Sequence, residues 1–390
     1  MRIVSVTTGR ADVGHLEPVW REIHKREGWG LNILVLGSHQ LSGEWDVFPR
    51  FPFDCYEGDD SPVGIGRAIA KATRSAAGAY AHWEPDLILV VGDRWEALAA
   101  VSAALPFGIP VAHIGGGDET TGSYDNQMRH AITKLAHLHF VAHEQAKVRV
   151  LAIGEEPWRV HLTGLPSIDG IREWQEGLKE SPELGEELVV IFHSPTLELD
   201  TAEEQARELG KALAQIGRPI KGFVPGHDVL HQKVHRALIG QLGAVENQWL
   251  EQETPVEFYR TLSRAACMVG NSSAGIIEAC SFGLPVVDIG SRQQGRVRPA
   301  NVLHAQAGCG KLYSEYGNIV AAIERALSAE FRASCQGLVN PYGDGHAAER
   351  IVAVLADLPR SVRGTEASWK KNLLKKRRPY ASAARGPLRQ

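Results

Sequence analysis

Short, uninterrupted apolar runs alternate along this chain with longer amphipathic stretches, and no other feature of the sequence restricts the fold as strongly. A strand buried on both faces reads as a continuous run of Val, Ile and Leu, and parallel strands need a covering helix between them. Strands are therefore predicted at 3–7, 32–36, 87–91, 110–114 and 139–142. Helices are predicted over roughly 15–25 and 64–82, with a short one from Trp95. A second series begins at Leu188 with LVVIFH and continues through IKGFVP and ACMVG to LPVVDIG. Between the two series, 167–187 is polar, charged and poor in strand formers, which makes it the expected junction. With 390 residues, 44% of them hydrophobic, the chain can build two separate cores. The expectation is an α/β protein of two doubly wound, Rossmann-like domains, 1–170 and 186–345, with the site in the cleft between them.

Charge and cysteine usage remove several function classes. Lys and Arg number 42 against 46 Asp and Glu, a net charge of -4, which argues against a protein that coats nucleic acid. No run approaches the roughly 18 apolar residues of a membrane span. The opening MRIVSVTTGR has no basic start or cleavage site, so no leader is expected. Five scattered cysteines without a CxxC pair suit reduced thiols in a cytoplasmic protein. The stretch 359–390, with KKNLLKKRR inside it, reads as a basic solvated tail.

In doubly wound sheets the ligand lies beyond the carboxyl ends of the strands. The loops found there are Gly9-Arg10-Ala11-Asp12, Gly37-Ser38-His39, Gly92-Asp93-Arg94, 115–119, His193-Ser194-Pro195, Pro225-Gly226-His227-Asp228, 270–273 and 290–292. One glycine-polar pair merely ends a strand, but eight in succession point to a shared site. Gly270-Asn271-Ser272-Ser273-Ala274-Gly275 follows a strand with small residues and hydroxyls suited to a phosphate, although either serine could serve as a plain helix cap. Gly290-Ser291-Arg292-Gln293-Gln294-Gly295-Arg296-Val297-Arg298 adds three arginines, forked donors for the same anion. Gly64-Ile65-Gly66 does not complete a dinucleotide fingerprint, and Gly310-Lys311 is not a P-loop. His137, His139 and His143 share a strand parity but are read as structural, so neither a metal nor another cofactor is expected.

Four long motifs carry a resemblance: VVGDRWEALA (90–99), HIGGGDETTGSYDNQMRHAITKLAHLHF (113–140), GNSSAGIIEA (270–279) and DIGSRQQGRVRPANV (288–302), with NPYGDGHAAERI (340–351) in support. Together they resemble the UDP-N-acetylglucosamine 2-epimerases. The segment Asp125 to Leu135 and the Ser-Arg-Gln loop look like the hydrolysing branch of sialic and legionaminic acid pathways. The resemblance implies a fold like the GT-B glycosyltransferases, no cofactor, a nucleotide-sugar substrate, a homodimer or homotetramer, and a helix over 346–358 that crosses back to the first domain. It also implies Asp93, Asp125 and His193 as catalytic groups. Arg10, His39 and Arg94 would line the sugar or diphosphate, and Ser272, Ser273, Glu278 and Arg292 would touch the nucleotide. The same loops offer Asn271, His227, Glu119 and Arg296 as further substrate contacts.

The sequence departs from its relatives where many carry a Glu directly after His-Ile. Gly115 stands there, so Asp118 is expected as the third acid, with Glu119 the competing choice. His-Ser-Pro-Thr (193–196) and Pro-Gly-His-Asp (225–228) also differ from the family pattern. Simpler readings stay open beside these roles: an Asp93–Arg94 ion pair, Asp125 as a helix cap, and a solvated Glu278. A non-hydrolysing epimerase, a GT-B glycosyltransferase and a silent nucleotide-sugar-binding protein are the alternative functions.

Overall fold

A computed structural model describes residues 1–37, 39, 41, 48–180, 182–251, 253–306, 319–361 and 373–375. Two all-parallel sheets carry the fold. The first contains β1 (Arg2–Thr7), β2 (Gly30–Val35), β3 (Arg50–Pro52), β4 (Leu87–Val91), β5 (Val111–Ile114), β6 (Leu138–Val141) and β7 (Val160–Leu162), in the order β3-β2-β1-β4-β5-β6-β7. The second contains β8 (Leu188–Ile191), β9 (Ile220–Phe223), β10 (Asn247–Leu250), β11 (Cys267–Gly270), β12 (Val286–Ile289) and β13 (Val302–Ala305), in the order β10-β9-β8-β11-β12-β13. In each sheet the chain reverses its direction of winding at the first strand. Crevices therefore open beyond the β1–β4 and β8–β11 pairs, where the predicted loops lie.

The fully apolar strands stand within two residues of their predicted ends. Those missing from the prediction, β3, β7, β10 and β13, are short or half exposed. An edge strand need not be apolar on both faces, so its sequence lacks the continuous run that marks a central one. The first helix begins earlier than predicted, at Arg10, because extended Gly9 starts it without any side-chain cap. Helix Ser167–Glu176 occupies half of the polar junction.

Helix Ala347–Ser361 links the end of the chain to its beginning. Ile351, Val352 and Leu355 are fully buried in one core with Leu16, Trp20 and Ile3. Its first turn is held by Asp169, whose carboxylate accepts hydrogen bonds from the Ala347 and Ala348 amides at 2.9 and 2.6 Å. The basic tail is only partly as expected. Leu373 is fully buried in that core, and buried Arg159 donates to the Leu373 carbonyl at 2.7 Å. Most of the tail lies outside the described residues. No helix among the described residues is long and apolar enough to cross a membrane.

Candidate active site

Asp93 follows β4 directly after Gly92, whose φ of +77° turns the chain at the strand end. Its carboxylate accepts a hydrogen bond from Arg129 of helix Asp125–Leu135. Burial alone would push Asp93 up, but Arg129, Arg296 and Arg292 outweigh it and hold the carboxyl below its usual range. Asp125 behaves in the opposite way. It is the first residue of its helix and does not cap it, since Tyr124 holds the cap position. Burial, with Asp93 and Asp228 nearby, raises it to about 6 despite Arg292 at 2.9 Å. One site therefore holds a carboxylate kept ionised below the usual range beside one that binds its proton up to about pH 6.

The loop from β5 to that helix is stitched to the second sheet's loops. Gly117 has a φ of +78°, and a side chain there would meet the Ala146 carbonyl at 2.3 Å. A Cβ on Gly122 would lie 2.0 Å from the Ser291 carbonyl. The Thr121 amide donates to the Gln294 carbonyl at 2.8 Å, and Ser123 and Thr196 share a hydrogen bond of 3.0 Å. Asp118 is 3% exposed, paired with Arg296 and 3.4 Å from His143 Nε2. Burial opposes its charge, but Arg296 and His143 hold it far below the usual carboxylate range. Glu119 points to Arg149 at 3.1 Å and is far more exposed.

Arg94 does not pair with Asp93, as the simple ion-pair reading had it. Its Nε and Nη2 each donate to Glu96 at 3.1 Å, and Nη1 lies 3.5 Å from Asp228. Glu96 is buried and raised to about 7 by that burial despite the pairing. His39 shares a hydrogen bond of 2.9 Å with Thr7 Oγ1, and burial followed by Arg94 lowers it to about 4. His227 stacks on Tyr56 of the first sheet's side, with ring centroids 4.1 Å apart, and burial lowers it too to about 4. Arg10 opens helix Arg10–His24, and its side chain lies outside the described residues.

Asn271 joins the two central strand ends: its side chain accepts from the His193 amide at 2.7 Å and donates to the His193 carbonyl at 2.9 Å. Gln293 Nε2 donates to the Asn271 carbonyl at 2.8 Å, which draws the arginine loop to the serine loop. Ser272 does cap the short helix Ser273–Ile277. A cavity beside it is walled by Ile191, Phe223, Phe258 and Tyr259 and edged by His193, Ser272, Ser273, His15 and Glu278. Glu278 is buried, not solvated, and burial raises it to about 7. An apolar slot with polar groups at one rim suits a nucleobase with its phosphates.

The histidines that shared a strand parity are engaged separately. His137 accepts from the Val111 amide, His139 faces Glu155, and His143 caps the helix Glu144–Ala152. Sequence reading gave no role to Arg129, Glu96 or Asp228, although Asp228 closes one of the quoted loops. Arg129 and Glu96 stand inside the motifs quoted above, but nothing local shows that they turn inward.

A family model described as UDP-N-acetylglucosamine 2-epimerase matches residues 21–356. The chain belongs to that family. As a 2-epimerase family member it is an enzyme. It is 30% identical over 377 residues to the UDP-N,N'-diacetylbacillosamine 2-epimerase (hydrolyzing) of Legionella pneumophila, a match spanning 92% of this chain and 96% of that protein. It is 27% identical to the GDP/UDP-N,N'-diacetylbacillosamine 2-epimerase (hydrolyzing) of Campylobacter jejuni, covering 85% and 88% of the two chains. The UDP-GlcNAc 2-epimerase from Neisseria meningitidis bound to UDP-GlcNAc superposes with a TM-score of 0.74 at 19% identity, over 92% of this chain and all of that one. This likeness and the two parallel sheets make the epimerase's fold GT-B-like.

Proposed function

We propose that this enzyme is a hydrolysing nucleotide-sugar 2-epimerase. It takes a 2-acetamido sugar of the UDP-N-acetylglucosamine type, carried on UDP or GDP, and releases the free sugar inverted at C2. The observation that carries the reading is the opposite tuning of Asp93 and Asp125 among arginines from both halves of the chain. No carbonyl acidifies the C2–H bond of such a sugar, so the C1–O bond must break as the C2 proton leaves. The bonding pair departs with the diphosphate, and a C1=C2 glycal remains. Asp93, held ionised, accepts the C2 proton. Asp125, which holds a proton up to about pH 6, returns one to the opposite face while water adds its hydroxyl at C1 and its remaining proton passes to the Asp125 carboxylate; Asp93 then loses its proton to solvent.

The departing diphosphate needs positive charge that is already in place. Arg94, Arg292 and the hydroxyls of Ser272 and Ser273 are assigned to it, with Arg10 in support. His193, Asn271 and His39 position the sugar, Glu278 the nucleoside, and His227 the far side of the sugar. Arg296 and Glu119 border the same loops, and Asp118 remains the candidate third acid. The domains are assigned as 1–170 and 186–345, with 346–358 crossing back. A sialic or legionaminic acid pathway and a homodimer or homotetramer belong to the same reading. So does a cytoplasmic setting, which suits four buried thiols, Cys55, Cys267, Cys280 and Cys335.

Heavy water tests this directly. Incubation with UDP-N-acetylglucosamine, or its GDP analogue, is expected to give free diphosphate and a C2-inverted sugar with one deuterium at C2. Deuterium in the intact nucleotide sugar would show a non-hydrolysing epimerase. Diphosphate released without deuterium at C2 would show a glycosyltransferase-like hydrolysis instead.

A further inference from the structure

Asp228, in the loop after β9, is 2% exposed. Its Oδ1 lies 3.5 Å from Arg94 of the first sheet's loops and its Oδ2 3.7 Å from Arg292 of the second sheet's. Neither distance is a close hydrogen-bonded pair, and Oδ2 has no hydrogen-bond partner among the described residues despite its burial. Arg292 Nε is likewise buried without a partner among the described residues. Each arginine has a second, closer carboxylate that fixes it: Glu96 for Arg94 and Asp125 for Arg292. Asp228 is thus not needed to hold either guanidinium in place. It is a buried anion set loosely between two cations, and a buried orphan oxygen is costly unless the arrangement serves a second state.

We infer that Asp228 is a resident carboxylate that occupies the diphosphate's place between Arg94 and Arg292 in the free enzyme. The diphosphate binds by displacing it and leaves when it swings back. The inference rests on the assignment of those two arginines to the diphosphate in the proposed function. Its chemistry is Coulombic competition. A charge within 4 Å of both arginines in a poorly screened interior weakens their hold on an incoming anion. In an enzyme that must shed its diphosphate each cycle, such a competitor speeds release.

Asp228→Asn keeps the shape and removes the charge. Calorimetry with UDP and with GDP is expected to show binding about tenfold tighter than to the parent enzyme. Steady-state kcat and KM should fall together, with a burst of free sugar before a slow phase limited by diphosphate release. Asp228→Glu restores the charge and should restore near-parental affinity, a rescue that a purely structural role would not produce. Weaker or unchanged nucleotide binding by Asp228→Asn would overturn the inference. Should that variant fail to fold, a crystal structure of the unaltered enzyme with UDP decides: Asp228 is expected to have moved away from at least one arginine. Both contacts persisting beside bound diphosphate would overturn it. If the unaltered enzyme binds neither UDP nor GDP, the nucleotide-sugar reading falls, and this inference with it.

Discussion

Asp118 and Glu119 are neighbours in the chain with opposite surroundings. Asp118 is enclosed with Arg296, His143 and the Arg129 guanidinium that donates to its carbonyl at 3.1 Å, whereas Glu119 meets Arg149 near solvent. Removing one partner of a buried pair leaves an uncompensated charge, so Asp118→Asn is expected to cost ~3–5 kcal/mol in urea unfolding. Glu119→Gln should cost about 1 kcal/mol or less. Asp118→Asn should also lower turnover far more than Glu119→Gln; equal unfolding midpoints for the two would refute the argument from burial. Asp125 carries a second expectation. If it supplies the proton, its useful form disappears as pH rises through about 6, so kcat/KM should decline over that range. Asp125→Asn should abolish that limb and reduce turnover by about a hundredfold or more. A limb that survives in the variant would assign the proton to another group.

At the scale of elements, the loop from β5 and the loop between β12 and β13 act as one unit. Thr121 to Gln294, Arg292 to Asp125 and Arg296 to Asp118 all join them, and Gly122 allows the backbones to meet. A methyl group on Gly122 would sit 2.0 Å from the Ser291 carbonyl, and backbone cannot yield as a flexible side chain can. Gly122→Ala is therefore expected to part the loops and raise KM by about tenfold, with a smaller effect on the urea midpoint. An unchanged KM would mean that the two loops separate during the normal cycle anyway. The capping of the helix from Ser273 by Ser272, with Asn271 bonded to His193, gives the second crevice the same stiffness.

Across the whole molecule, helix Ala347–Ser361 is the tie between the end of the chain and the first sheet. Leu355 is fully buried against a core that also contains Leu16 and Trp20. Leu355→Ala removes the side chain's branched end and leaves a cavity, at an expected cost of ~2–5 kcal/mol. Unfolding should remain a single transition followed by tryptophan fluorescence, since the helix packs into the first core while its approach runs past Tyr342, bonded to the Val297 carbonyl at 2.9 Å. Two separated transitions in the variant would show that the helix, more than the stitched loops, couples the halves.

What the sequence determined by itself is the part of the protein governed by short-range rules. Runs such as LILVV and LVVI can only be strands covered on both faces, and the glycine-polar pairs after them had to lie at the carboxyl ends where such sheets bind ligands. Asp93, Asp125, Ser272 and Arg292 could be singled out from the sequence because they sit within long motifs, and the structure sets Asp93, Ser272 and Arg292 just beyond strand ends and Asp125 at the start of a helix. The edge strands were not legible, because half-exposed segments such as Asn247–Leu250 lack a continuous apolar run. Nor were the partners of the charged groups. Arg94 chose Glu96 and Asp228 over its neighbour Asp93, and Asp93 took Arg129 from a helix begun 32 residues further on, at Asp125. Tertiary structure alone decided these pairings, and with them which carboxyl is held below its usual range and which is raised to about 6. Burial and Coulomb energy depend on distances through space, and separation along the chain does not encode them.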